Sequence, residues 1–191
     1  DKGTWVSWGG DMGSEPLGPY DSILTTPEIT APFSEDVVLE ISHRYSFEVG
    51  EGSPWDIGQV RVSVNGGEFV ALANGNFFKN GYFPKAVGAY YGDYEGPEVG
   101  MMEGQFGFSG ETEGFADGAF VTSKAIIGKM AAGDKFQVQF ISAHDVTLSG
   151  AKPNWEIDSV VFRVRRLSAT VTHEAGTDYI DEGADAEDAV D

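Results

Sequence analysis

Carboxylates offer this chain its first route to chemistry. Val160, Phe162 and Val164 recur at every second position, and Glu156 and Asp158 share their parity. A strand without a bulge would therefore aim both acids at the core. A carboxylate buried without a partner is costly, so Asp158 demands either a cation or a cluster of hydrogen-bond donors. Two roles stay open for it: ligand to a hard cation such as Ca2+, or acceptor of backbone amides that cap a turn.

Aromatic rings set among amides offer a second chemistry. Tyr90-Tyr91-Gly92-Asp93-Tyr94 follows Asn76, Asn80 and Tyr82 in one Gly-rich region, and Trp55 could add a platform beside them. Planar rings stack on pyranose faces while amides and carboxylates fix hydroxyls, so this mixture suits polysaccharide recognition. The competing role is internal, since long Gly-rich loops need aromatic anchors against the body of a domain.

Catalysis has little support. The three histidines are His43, His144 and His173. His43 falls on the apolar side of an alternating run, as a hydrogen-bonded core residue would. His144-Asp145 would need a nucleophile or metal beside it, and neither a Gly-x-Ser-x-Gly nor a His-Glu-x-x-His motif occurs. Gly-rich phosphate cradles followed by a helix are also missing. The chain reads as a non-enzyme.

The elements that must position these residues are strands. Leu39, Ile41, His43, Tyr45 and Phe47 alternate with Glu40, Ser42, Arg44 and Ser46; Val60, Val62 and Val64 alternate with Gln59, Arg61 and Ser63. Phe136, Val138 and Phe140 follow the same rule with Gln137 and Gln139. Period two with one apolar side is the signature of half-buried antiparallel strands. Asn65-Gly66-Gly67 reads as a hairpin turn into a strand over 68–72. Residues 122–132 read as a strand and a short turn leading into Lys135, and 74–118 as long loops with a short strand over 101–108. The fold class that follows is an all-β antiparallel sandwich, such as a jelly roll, with long aromatic- and Gly-rich loops.

Composition narrows the partners. The chain carries 31 acidic against 12 basic residues, a net charge of −19, which repels nucleic acid and anionic lipid heads and attracts cations. No apolar run approaches the roughly 18 residues of a membrane span. With no Cys there are no disulfides and no thiolate chemistry. The expected organisation is an N-terminal strand and irregular lead-in over 1–35, a sandwich domain over 36–168 and an acidic tail or linker over 169–191. No Lys or Arg follows Arg166, and eight carboxylates follow Ala169. The start at Asp1 fits a processed or excised segment.

Two motifs carry a resemblance. The first is Trp55-Asp56-Ile57-Gly58-Gln59-Val60-Arg61-Val62-Ser63-Val64-Asn65-Gly66-Gly67. The second is Ser142-Ala143-His144-Asp145 followed by Pro153-Asn154-Trp155-Glu156-Ile157-Asp158-Ser159-Val160-Val161-Phe162, with Phe108-Ser109-Gly110 between the two. Together, over about residues 36–166, they resemble the MAM-like β-sandwich module appended to secreted peptidases of the immune-inhibitor type and to many bacterial cell-surface proteins. The resemblance implies a non-catalytic accessory domain outside the cell. It also singles out Asp56 and Asp145, the acids inside its motifs, as Ca2+ ligands beside Asp158. Residues 77–103 depart from it, being longer and more aromatic. Partners are then a polysaccharide or other extracellular polymer, or further copies of the chain in a surface assembly.

Overall fold

The computed structural model describes residues 5–7, 20–88, 102–145 and 153–165. Among them, the first half of the chain forms β1 (Trp5–Ser7), β2 (Tyr20–Thr25), β3 (Ile29–Thr30), β4 (Asp36–Phe47), β5 (Val49–Gly50), β6 (Ser53–Pro54) and β7 (Ile57–Val64). The second half forms β8 (Val70–Ala71), β9 (Phe77–Lys79), β10 (Gly110–Glu111), β11 (Val121–Lys129), β12 (Lys135–His144) and β13 (Trp155–Arg165). Two short 3-10 turns and no α-helix accompany these strands among the described residues.

The strands form two antiparallel sheets. One has the order β1-β13-β4-β11-β9, with β10 also on β4; the other has the order β2-β12-β7-β8, with β3 also on β12. They pack face to face as a β-sandwich. The alternating runs supply its filling: Leu39, Ile41 and Phe47 from β4 meet Val60, Val62, Phe136, Val138 and Phe140 from the facing sheet. The sequence reading of these strands therefore holds, and so does the hairpin. Asn65 (φ 52°) and Gly66 (φ 73°) both take left-handed backbone, as a type I′ turn requires, and Gly67 N donates to Val64 O at 3.0 Å.

Three local expectations change. Of the strand expected over 68–72 only Val70–Ala71 pairs with β7, and Val64, at the hairpin end, is exposed. In 102–108 the only pairing is one bridge between Phe108 and Gly58. Most consequentially, β13 bulges: Ile157 faces His43 and Ser159 faces Ser42, so Asp158 is the extra residue. A bulge reverses which parity points inward. Trp155 and Ile157 are therefore core residues, Glu156 lies on the outer side against Arg44, and Asp158 is exposed.

The core is aromatic at its centre. Trp155 is fully buried, and its ring lies edge-on or tilted to Trp5, His43, Phe47, Phe108 and Phe140 at centroid distances of 5.7–6.1 Å. Each such ring pair adds about 0.5–1.5 kcal/mol beyond area burial. Gly58 exists for this ring, because a Cβ there would sit 2.9 Å from the indole. The polar edge of the cluster is satisfied in a line. Trp155 Nε1 donates to His43 Nδ1 at 3.0 Å, which leaves His43 Nε2 to donate to Ser123 Oγ at 2.8 Å; the Ser123 hydroxyl donates to the Asn80 carbonyl.

His43 is thereby held neutral, its pKa pushed down by burial from 6.5 to about 3. The unfolded chain takes up a proton near pH 6.5 that the folded chain refuses, so this contribution is intact above pH 6.5 and is lost as pH falls toward 3. We expect urea-unfolding free energies at pH 7, 5.5 and 4.5 to fall more steeply for the wild type than for His43→Gln, by up to about 1.4 kcal/mol per pH unit. Equal slopes would show that His43 does not resist protonation.

Candidate metal centre

Three strand ends meet at one pole of the sandwich. Glu48 follows β4, Asp56 precedes β7 and Asp145 follows β12. The last ladder pair of β7 and β12, Ile57 with Ala143, sets Asp56 beside Asp145. The tight β5–β6 hairpin then returns the chain so that Trp55 N and Asp56 N both donate to the Glu48 carbonyl, at 3.0 and 3.3 Å. Ser109 Oγ closes the arrangement by donating to Asp56 O at 2.8 Å.

One carboxylate oxygen from each of Glu48, Asp56 and Asp145 lies within 4.8 Å of the others. Asp56 is fully buried, and the other two are partly buried. Asp56 Oδ1 accepts the Asp145 backbone N–H at 3.0 Å. Its Oδ2 is buried, receives no aligned hydrogen bond among the described residues, and lies 3.2 Å from His144 Nδ1. Gathering carboxylates inside a protein is unfavourable unless positive charge offsets it. The triad can hold a metal ion, and its all-oxygen donors suit a hard one; carbonyls or waters would complete the shell.

His144 also approaches Ser142, with Nε2 and Oγ 2.8 Å apart. Ser142, His144 and Asp56 thus have the connectivity of a hydrolytic triad. Ser142 and His144 share the inward side of one strand, however, and Phe47 lies 5.7 Å from the imidazole. Ser142 is fully buried. These contacts tie β12 to the segment before β7.

The sites expected from sequence separate here. Asp56 and Asp145 come together as expected, while Asp158 does not join them because the bulge exposes it. Glu48 takes the third place. Its parity relative to Phe47 marks it only as an outward residue, and the turn that brings it to Asp56 has no sequence signature beyond Glu51-Gly52, both in left-handed backbone.

The described aromatic and amide residues of that expected site all make contacts within the chain. Trp55 Nε1 donates to Gly50 O at 3.2 Å, and its ring lies so close over Gly50 that a Cβ there would be 2.5 Å from Nε1. Asn76 bonds Ala73 N and Ile126 O, and Asn80 bonds Thr122 O. Tyr82 is buried, its hydroxyl donating to Val60 O at 3.3 Å and accepting from Val60 N at 2.8 Å. Burial pushes its pKa far above the usual phenol range. Tyr90, Tyr91, Asp93 and Tyr94 lie outside the described residues. The residues bounding that segment are fixed, since Val87 and Met102 pack on Ile57, Ile141 and Ala143, on the outer side of the second sheet. Gly107 makes the return path possible, because a Cβ would stand 2.7 Å from Ile57.

No protein-family model matches this chain, and no curated protein is found to match it.

With Ca2+ as the probe, saturation near 100 times its dissociation constant stabilises a folded protein by about 2.7 kcal/mol. For a chain of this size that is a rise in Tm of about 5–10 °C. We expect this rise, its reversal by chelator, and its disappearance in Asp56→Asn. A wild-type melt indifferent to Ca2+ and chelator alike would remove Ca2+ from the triad.

Proposed function

We propose that this chain is a non-catalytic binding module of an extracellular or cell-surface bacterial protein. In this reading it is a MAM-like or jelly-roll sandwich that holds Ca2+ at one pole and recognises polysaccharide. The observation that carries the reading is the buried-acid triad at the meeting of three strand ends, which would brace a rigid frame from the same pole where residues 87 and 102 are anchored. Rigid frames with elaborated loops are the usual setting for recognition. The oxygen-only donors favour Ca2+ over softer metals. The tyrosines Tyr90, Tyr91 and Tyr94, with Asp93, supply stacking faces and a hydroxyl acceptor within one stretch of chain. Support for a non-catalytic role comes from the two described histidines, both committed to buried contacts. Carbohydrate recognition needs no such group.

A second reading is a self-associating structural subunit. It is favoured by Val70 and Phe78, 66% and 59% exposed on the open edge strands β8 and β9. Apolar side chains on unpaired edges invite pairing with another chain.

A thermal melt across neutral and acidic soluble polysaccharides, with solution mass recorded in parallel, separates the two. The binding module gives a Ca2+-supported shift with a glycan, and Tyr91→Ala abolishes that shift while leaving the unliganded Tm in place. If Tyr91→Ala instead lowers stability by about 3 kcal/mol and keeps the glycan shift, the ring is a loop anchor. Ordered multimers with no glycan response favour the subunit.

A further inference from the structure

One end of the outer side of the first sheet carries charge opposite to that of the whole chain. Ladder partners share a side of a sheet, so the register gives the layout directly. Arg165, Asp36 and Lys129 form one row, and Arg163, Val38 and Ile126 the next. Val161, Glu40, Lys124 and Lys79 form the third. Five of the chain's 12 basic residues stand here against two carboxylates. Glu40 is shared, accepting Lys124 Nζ at 2.9 Å and Arg163 Nε at 3.1 Å, and these two cations lower its pKa, Lys124 contributing most. Lys79, Lys129 and Arg165 are exposed and pair with no carboxylate among the described residues. A second bulge, opposite Lys124 and Ala125, leaves the Phe78 ring exposed beside Lys79.

We infer that this patch is a binding surface for a carboxylate-bearing polysaccharide, separate from the tyrosine segment. Its extent is about 13 Å along the strands by about 14 Å across four of them. Exposed charges act over a Debye length of about 8 Å in physiological salt. A thin polymer laid on the patch therefore feels its local excess of cations. A bilayer surface or a second copy of the chain presents a broad face and meets the net charge of −19 instead. The guanidinium groups of Arg163 and Arg165 match carboxylates in bidentate geometry, and the Phe78 ring suits one sugar face. Single-stranded nucleic acid would call for successive stacking rings, and the patch has one.

The probe is polygalacturonate, titrated calorimetrically into the full chain in low salt, with neutral dextran as the control. Binding of polygalacturonate and not dextran is expected, weakening as salt rises. Two charge reversals together, Lys129→Glu and Arg165→Glu, should lower affinity about tenfold or more with an unchanged melt. Reversing Lys85 and Lys135, which lie off the patch, should leave it within about twofold. Tyr91→Ala should also leave it unchanged, which keeps this surface distinguishable from the tyrosine segment. The inference is overturned if wild-type protein does not bind polygalacturonate, or if the paired reversals leave binding intact. It is also overturned if the patch proves to dock another copy, seen as a low-salt oligomer that the reversals dissolve. A dextran response with no polygalacturonate response would end this inference while leaving the polysaccharide-binding module standing.

Discussion

The seating of Trp155 between the two sheets is the constraint on which the rest depends. The indole needs a residue without a side chain opposite it, which Gly58 supplies, and a buried acceptor for its N–H, which His43 Nδ1 supplies. Meeting the second need fixes the imidazole tautomer and passes the requirement on to Ser123 and then to the Asn80 carbonyl. The line of bonds crosses from β13 through β4 to β11 and ends in the loop beyond β9, so one ring fixes the mutual position of three strands and a loop. Phe108 packs against the same cluster, 4.7 Å from His43 and 4.9 Å from Tyr82, and holds the segment after residue 102 against β7 through its bridge to Gly58.

The acid triad is downstream of that packing. Trp155 opens β13 and pairs with Tyr45, near the end of β4, while Gly58 lies two residues after Asp56 on the other sheet. Seating the ring therefore sets how far Glu48 can stand from Asp56. An acid cluster of this kind is expensive in isolation and becomes tolerable where the frame allows a cation to enter.

How much of this was legible in the sequence depended on the range of the interaction. Period-two alternation is local and recovered β4, β7 and β12 with the right side inward. Asn65-Gly66 is local as well and fixed its hairpin. Asp158 misled because a bulge is decided by pairing with β4, about 115 residues earlier, which the sequence of β13 cannot display. Asp56 and Asp145 emerged only through motif resemblance, and Glu48 not at all, since its place comes from a hairpin returning the chain. Trp55, Asn76, Asn80 and Tyr82 have the types a sugar site uses. Those types equally satisfy loop backbone, as Trp55, Asn76, Asn80 and Tyr82 do here.

The order of strands carries a consequence for how the protein is made. Trp5 pairs with Ile157, β2 with β12, and β4 with β13. Neither sheet can close until the last third of the chain has left the ribosome. Non-local pairing of this kind makes folding slow, and the waiting half-sandwich exposes the apolar side of β4 and the edges of β7. Mutual repulsion keeps such intermediates apart during that wait, since residues 1–127 already carry 19 acidic against 6 basic residues. The acidity that reads first as a preference among ligands is then equally a property of the unfinished chain, protecting it before it has a surface to bind with.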